Sequence, residues 1–237
     1  MIILSFDSTA KIASAAVVDG ERMLATYSIN NGCTQSELLL PMAENMLKSL
    51  GIGFDDIGLL ACSVGPGSFT GVRIGAALVK GIAFGRDIPC AAVSTLEALA
   101  ENLAGTEGLI VPVMDARRQQ TYTAIFKGSK AGISRLTPDM AISYTDLAAR
   151  LAGYSGAPVY LVGDGYEVAS CALADSLGER LQVTPPQLRD ESAWSVARVA
   201  ARQAAEGKTV SDLEIMPTYL RMPQAERERL EREKIKP

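Results

Sequence analysis

The chain has 237 residues and a formal net charge of −4, from 23 basic and 27 acidic side chains. This balance predicts no general attraction to nucleic acid or to anionic membranes, because both attractions need an excess of lysine and arginine. The sequence contains no histidine, which excludes histidine general bases, Ser-His-Asp and Cys-His nucleophiles, and two-histidine metal sites. Its four cysteines lack metal or redox spacing. With no signal-peptide pattern and no membrane-length apolar run, they predict a cytoplasmic protein with no membrane contact.

The chain opens with a pattern typical of three strands joined by tight turns. Apolar segments predict strands over Ile2–Phe6, Ile12–Val18 and Met23–Ile29. The first strand is followed by Asp7-Ser8-Thr9-Ala10. These side chains could hold a metal-bridged phosphate or form an ordinary Asx turn, and the local sequence favours neither.

Residues 35–50 predict an amphipathic helix. Leu38, Met42 and Met46 recur on one apolar stripe of it. A stripe of this kind usually packs into a core, but methionine also suits surfaces that repack against a partner. The pattern alone allows both interpretations.

Residues 58–85 predict a buried strand, a glycine turn and a second helix. The strand covers Leu59–Val64, the turn is Gly65-Pro66-Gly67, and the helix covers Val72–Phe84. Free N–H groups at a helix start suit an anion, but no Walker A Lys-Ser or Lys-Thr follows these glycines. The helix is apolar on most of its circumference. It is therefore covered on more than one side, either by its own domain alone or also by a second protein.

The order of strand, aspartate and hairpin then recurs. A strand over Leu109–Met114 ends at Asp115, and Gln120–Lys127 alternates as a paired strand would. Further strands are predicted over Cys90–Val93, Ile133–Leu136 and Pro158–Val162, and further helices over Ser94–Leu103, Asp146–Leu151, Tyr166–Leu177 and Trp194–Glu206. We therefore predict two related lobes, residues 1–105 and 106–223. A charged tail over residues 224–237 follows, which is either solvated or a docking segment.

Several motifs together resemble the TsaB (YeaZ) family. They are Asp7-Ser8-Thr9, Gln35-Ser36-Glu37, the run SVGPGSFTG from Ser63 to Gly71 with Arg73, Asp115-Ala116-Arg117, Gly163-Asp164-Gly165 and Pro217-Thr218-Tyr219-Leu220-Arg221. The resemblance covers nearly the whole chain up to Pro223, and the GPGSFTGxR run is its most specific part. One departure is Gln35, where the family commonly has a histidine before Ser-Glu.

The resemblance implies an α/β protein with the two-lobed fold of actin, Hsp70 and sugar kinases (the ASKHA fold), built on a duplicated mixed-sheet core. It also implies a role in bacterial synthesis of threonylcarbamoyladenosine on tRNAs that read codons starting with A. The chain is then expected to be a non-catalytic scaffold for a catalytic sibling, TsaD, with the ATPase TsaE joining them. We expect ATP to be used by the complex, no cofactor to be bound by this chain alone, tRNA to be contacted only through the complex, and a homodimer when the partner is missing.

The sibling's metal motif, of the form V-N-H-M-E-G-H, falls on Val93–Leu99 of this sequence. Glu97 is retained, but Thr95 and Leu99 stand where the two metal-binding histidines would be. Neither a hydroxyl nor an alkyl chain substitutes for imidazole on zinc or iron. The resemblance therefore implies no metal site and no catalytic residue in this chain, and it makes Asp7, Ser8 and Thr9 a vestigial phosphate loop.

The scaffold interpretation puts the partner interface on the two helices of the first lobe. The predicted interface residues are Leu38, Met42, Met46, Val72, Arg73, Ala76, Val79 and Lys80. If these side chains face a partner, the free chain leaves them at least partly accessible to solvent. A charge at Met42 or Ala76 would then weaken association without unfolding the lobe.

The alternative from another class is an ATP-dependent phosphotransferase of the sugar-kinase type, in which Asp7 and Asp115 hold Mg-ATP. The lack of histidine does not exclude it, since aspartate can serve as the base. Against it, the second half offers only Gly163-Asp164-Gly165 as a glycine-rich adenosine loop. A protease would have neither a metal site nor a nucleophile-base pair here.

Overall fold

The computed structural model describes residues 1–154 and 156–221, which form two mixed sheets and six α-helices. The first sheet contains β1 (Ile2–Asp7), β2 (Ala13–Asp19), β3 (Arg22–Ile29), β4 (Leu59–Gly65) and β5 (Cys90–Ser94). The second contains β6 (Gly108–Asp115), β7 (Gln120–Thr123), β8 (Phe126–Ser129), β9 (Gly132–Arg135), β10 (Met140–Ser143), β11 (Val159–Val162) and β12 (Leu181–Gln182). The helices are α1 (Gln35–Leu50), α2 (Phe69–Ala83), α3 (Thr95–Glu101), α4 (Tyr144–Ala152), α5 (Tyr166–Leu177) and α6 (Ala193–Ala205). The predicted charged tail, residues 224–237, lies outside the described residues.

The two sheets repeat one topology. The first has the strand order β3-β2-β1-β4-β5, in which the β1–β2–β3 meander is antiparallel and β1, β4 and β5 are parallel. The second has the order β10-β7-β6-β11-β12, in which β6 takes the place of β1 with the same strand directions around it. A β8–β9 hairpin is added on β6. The predicted duplicated α/β fold is thereby confirmed.

The first sheet is covered on both faces. Helices α1 and α2 pack on one face, and α6 packs on the other. Strand β4 is buried along its whole length, which explains why its sequence is a continuous apolar run rather than an alternating one. The central helix α3 lies between the lobes: Ala98 joins the core under α6, while Leu96 and Leu99 pack on the second sheet.

The C-terminal part of the chain returns to the first lobe. The start of α6 is tied to the first sheet, because Ser5 Oγ donates to the Ala193 carbonyl at 2.7 Å and Ala193 N–H donates to Ser14 Oγ at 3.0 Å. Farther along, Val210 pairs with Cys90 in β5. The assignment of residues 106–223 to the second lobe therefore needs correction for α6 and the segment after it. Element order along the chain does not reveal which sheet a late helix covers.

Among the residues that the structure describes, no helix is both long and apolar enough to cross a bilayer.

Candidate functional site

The loop after β1 is an internally bonded turn around Asp7. One carboxylate oxygen of Asp7 accepts hydrogen bonds from Thr9 N–H at 2.9 Å and Thr9 Oγ1 at 2.7 Å, and the other accepts from Ser63 Oγ. Burial raises the pKa of Asp7, while the bonds from Ser63 and Thr9 oppose that rise. Of the two interpretations left open by the sequence, the geometry matches the Asx turn. Ser63 was not predicted as the partner of Asp7, because only strand pairing aligns β4 with β1.

Helix α2 holds this loop from the other side. Ser8 Oγ donates to the Gly71 carbonyl at 2.8 Å, and Ser68 N–H donates to the Thr9 carbonyl at 2.7 Å. A Cβ on Gly71 would overlap the Ser8 carbonyl oxygen, so glycine is required there by the close approach of the loop. The sequence GSFTG thus fits α2 against its own lobe at this point.

A cleft of about 900 Å³ lies between the lobes. Its walls include Thr9 and Lys11 from the β1–β2 loop, Ser68, Phe69 and Thr70 from the start of α2, Asp115, Arg117 and Tyr122 around the β6–β7 turn, and Asp164, Tyr219 and Arg221. Lys11, Tyr122 and Arg221 were not predicted as cleft residues. Tyr219 and Arg221 belong to the family motif that covers Pro217–Arg221. This motif was the sequence signal that could have placed them in a functional site.

The acidic residues of the cleft brace the β6–β7 turn. Asp115 N–H donates to Asp164 Oδ1 at 3.2 Å, and Arg117 N–H donates to Asp115 Oδ1 at 2.7 Å. Partial burial raises the pKa of Asp164, although its side chain still meets solvent; the Asp115 charge adds to the rise and Lys11 opposes it. The turn has positive φ at three successive residues, Arg117, Arg118 and Gln119.

The structure does not assemble the predicted Mg-ATP site of the phosphotransferase alternative. Asp115 lines the cleft, but Asp7 does not, and both Asp7 carboxylate oxygens are already bonded within the protein. Magnesium is held by carboxylates that face the bound phosphates. The Asp7 and Asp115 pair therefore does not fit that role.

The segment matching the sibling's metal motif does not fit a metal either. Thr95 is fully buried and its Oγ1 has no hydrogen-bond partner, while Leu99 packs in the core with Leu96. Glu97 is paired with Arg135 at 3.0 Å. Across residues 1–154 and 156–221, no group of three or more cysteine, aspartate and glutamate side chains is arranged to hold a metal ion.

The predicted partner interface needs a correction. Met42, Met46, Val72, Ala76 and Val79 are at most 3% exposed, and all except Val72 belong to the core between the helices and the first sheet. The expectation that the free chain leaves them accessible to solvent is wrong. The apolar stripe of each helix is the side that covers the sheet. Of the predicted set, Arg73 is exposed, and Leu38 and Lys80 are half-buried.

A different side of these helices faces solvent. We define the helix face as Leu38 and Pro41 on α1 with Ile74, Ala77, Leu78, Gly81 and Phe84 on and just after α2; these residues are half-buried or exposed. Phe84 is 77% exposed, and a Cβ on Gly81 would meet nothing within 4 Å. The face is apolar, with small residues at its centre. It could admit the backbone of another helix closely.

The C-terminal segment borders this face. Lys80 Nζ donates to the Leu213 carbonyl at 3.1 Å, and Thr218 N–H donates to the Val64 carbonyl at 2.7 Å. Leu213 and Met216 remain 78% and 63% exposed beside α2. The apolar surface around α2 is therefore wider than the helices alone provide.

Comparisons with known proteins agree with the sequence motifs and the fold. A family model described as TsaD, tRNA N6-adenosine threonylcarbamoyltransferase, matches residues 34–228. The tRNA threonylcarbamoyladenosine biosynthesis protein TsaB of Bacillus subtilis is 28% identical over 235 residues, covering 99% of this chain and 100% of the relative. The TsaB protein of Escherichia coli is 30% identical over 226 residues, covering 93% of this chain and 95% of the relative.

A solved structure has the same fold. YeaZ from Pseudomonas aeruginosa superimposes with a TM-score of 0.76 at 22% identity, covering 92% of this chain and 99% of that one. This match supports the two-lobed architecture, and the sequence matches over nearly full length identify the family. The chain belongs to the TsaB family of tRNA threonylcarbamoyladenosine biosynthesis proteins.

Proposed function

We propose that this chain is a non-catalytic scaffold subunit. It would bind the TsaD catalytic sibling and support threonylcarbamoyl transfer to adenosine of tRNAs that read codons starting with A. The observation that carries the proposal is the state of the segment from Val93 to Leu99. Thr95 and Leu99 are buried, and Glu97 is used in ion pairs. The side chains of this segment do not offer the ligands that zinc or iron needs, so the chemistry would belong to the sibling.

The helix face is the proposed contact surface for the sibling. Its support is an exposed apolar area on packed helices, centred on Ala77 and Gly81. A stable interface buries roughly 1,000 Å² or more in total. The helix face together with Leu213 and Met216 can contribute the apolar centre of such an area. The same patch would pair two copies around a two-fold axis when the sibling is missing.

An acidic chain is suited to a complex in which a partner supplies the basic surface for tRNA. TsaE would join as the ATPase, ATP would be used by the complex rather than by this chain, and the complex would act in the cytoplasm. The phosphotransferase alternative is not retained, because Asp7 is enclosed by Ser63 and Thr9.

Reconstitution tests the proposal. Purified TsaD and TsaE, with a threonylcarbamoyl donor, ATP and an unmodified tRNA, should modify the tRNA only when this chain is present, and this chain alone should modify none. Elemental analysis should find no stoichiometric zinc or iron in this chain after dialysis, beside a metal-loaded sibling as control. One retained equivalent of metal, or turnover by the chain alone, would refute the non-catalytic role.

A further inference from the structure

Six charged side chains form a continuous line from the second sheet to the first. We call Arg135, Glu97, Arg202, Glu101, Arg198 and Glu21 the charged staple. The nitrogen–oxygen distances between successive members are 3.0, 4.0, 2.8, 3.6 and 3.3 Å. Positive and negative charges alternate at every step, so every neighbouring pair attracts.

The centre of the charged staple is helix α3. Glu97 and Glu101 lie one turn apart on this helix, so they project from the same side. Arg135 reaches Glu97 from the end of β9 in the second sheet, whereas Arg202 and Arg198 reach Glu101 from α6 on the first sheet. Because α3 joins the two glutamates covalently, continuity does not depend on the long 4.0 Å step.

Arg135, the second-lobe end of the charged staple, has several further partners. Arg135 also pairs with Asp139, and its guanidinium lies 4.6 Å from the centre of the Phe126 ring. Asp139 accepts a hydrogen bond of 2.7 Å from Ser94, and Ser94 Oγ in turn accepts the Glu97 N–H at the start of α3. One arginine therefore connects β9, the loop before β10 and the first turn of α3.

Several members of the charged staple are partly or fully buried, so their ion pairs matter more for stability than pairs on the open surface. The side chain of Glu101 is only 4% exposed, and those of Glu97 and Arg135 are 27% and 31% exposed. A carboxylate as buried as Glu101 is costly to leave without a cation. Its contact with Arg202 is close but not aligned as a hydrogen bond, so the attraction there is chiefly between charges.

We propose that the charged staple holds the two lobes at one interlobe angle, so that they move together as a single rigid body. Two-lobed proteins commonly move by hinge closure around a cleft. Here, any opening that separates β9 from α3 must break the ion pair of Arg135 with Glu97 and the hydrogen bond from Ser94 to Asp139. The glutamates of the charged staple lie on α3, the helix that also carries Thr95 and Leu99. This proposal concerns shape alone and holds whether or not the chain binds a sibling.

Two native cysteines allow the angle to be measured without new labelling sites. Cys33, before α1, and Cys171, on α5, are exposed and lie in different lobes. Cys62 and Cys90 are buried, and burial raises the pKa of both thiols, that of Cys90 to about 11. Spin labels on Cys33 and Cys171 report the interlobe distance distribution by pulsed electron resonance.

The variants are Arg135→Met and Glu97→Gln, each labelled in the full chain. The matched control is Arg86→Met, because Arg86 also pairs with a carboxylate, Asp55, and lies over a ring, Phe54, but does so within the first lobe. We expect both test variants to raise the population of opened conformers about tenfold, from about 1% to about 10%, a range typical of minor protein states. The control should match wild type.

Salt provides a test on the unmodified sequence. Raising the ionic strength to about 1 M shortens the screening length to about 3 Å, so the wild-type distribution should shift part of the way toward that of the variants, because partly buried ion pairs are screened less than exposed ones. Circular dichroism verifies that each variant is folded; if Arg135→Met is not, Glu97→Gln carries the test. Distributions of folded test variants that coincide with those of wild type and Arg86→Met would overturn the proposal.

Discussion

Arg73 on α2 donates a hydrogen bond of 2.8 Å from Nε to the hydroxyl of Tyr219, a residue 146 positions later in the chain. The same guanidinium carbon lies 3.9 Å from the centre of the Phe69 ring, and the Phe69 and Tyr219 ring centres are 5.1 Å apart. Two family motifs from distant parts of the sequence thus meet beside the cleft. The contact holds the C-terminal segment against α2, at the edge of the helix face.

Removing the hydroxyl of Tyr219 should lower the free energy of unfolding slightly, and removing its ring should lower it further. We expect Tyr219→Phe to lower the free energy of unfolding by about 0.5 kcal/mol, the low end for a hydrogen bond, because Arg73 stays solvated. Tyr219→Ala should cost about 0.5–1.5 kcal/mol more, since it also removes the aromatic pair with Phe69. Urea unfolding measures both, with Tyr27→Phe on exposed β3 as the control. Equal stability of Tyr219→Ala and wild type would show that the segment is not held by this contact.

Two neighbouring alanines on α2 differ in burial, because one lies in the core and the other on the surface. Ala76 is 3% exposed and Ala77 lies on the helix face. Ala76→Glu should destabilise the lobe by several kcal/mol, about 3 or more, because it buries an unpaired charge. Ala77→Glu should melt like wild type but weaken binding to TsaD at least about a hundredfold, near 2.7 kcal/mol.

Thermal melting and a binding titration on the same preparations measure the two alanine effects. Ala172→Glu, at an exposed alanine of α5 in the second lobe, controls for added negative charge. Normal TsaD binding by folded Ala77→Glu would remove the helix face from the proposed interface.

Glu191 should make stability fall as pH rises. Burial raises the pKa of Glu191 well above its ordinary value of 4.5, the Asp7 and Asp164 charges add to the rise, and its Oε1 has no hydrogen-bond partner. Above pH 4.5 the folded carboxyl therefore keeps a proton that the unfolded chain has lost. Folded protein then binds more protons than unfolded protein, so the free energy of unfolding decreases with rising pH until the folded carboxyl also ionises.

The variant Glu191→Gln removes this titration. It should equal wild type near pH 4 and exceed it in stability near about pH 8, with a shallower slope between. The stability of the variant should still fall somewhat with rising pH, because burial also raises the pKa values of Asp7 and Asp164. Glu44→Gln, on an exposed side chain of α1, is the control. Parallel pH curves for Glu191→Gln and wild type would contradict the assignment.

The chain alone should bind tRNA weakly at physiological salt. Its pI is about 5.1 and its net charge is −4, so it lacks the counter-ion release that drives most nucleic-acid affinity. A filter-binding series between about 50 and 200 mM salt should show a shallow dependence for the chain and a steeper one for its complex with TsaD. Tight, salt-sensitive binding by the chain alone would reveal a basic surface that its net charge conceals.

The sequence alone determined the elements and their family. Apolar runs predicted the five strands of the first sheet and β6, β9 and β11 of the second, and 3.6-residue periodicity predicted α1 and α2, because these signals depend only on neighbouring residues. The single strand predicted over Gln120–Lys127 is two strands, β7 and β8, and the short strands β10 and β12 were not predicted. The recurrence of strand, aspartate and hairpin around Asp7 and Asp115 predicted the duplication. The GPGSFTGxR run identified the family.

Only the tertiary structure decided which faces and charges meet. The apolar stripe with Met42 and Met46 was equally compatible with core and interface, because periodicity shows that a helix has an apolar side but not what covers it. The return of α6 to the first sheet, the enclosure of Asp7 by Ser63 and the pairing of Arg135 with Glu97 join residues far apart in the chain. Such contacts arise from strand pairing and layer packing, which no local pattern encodes.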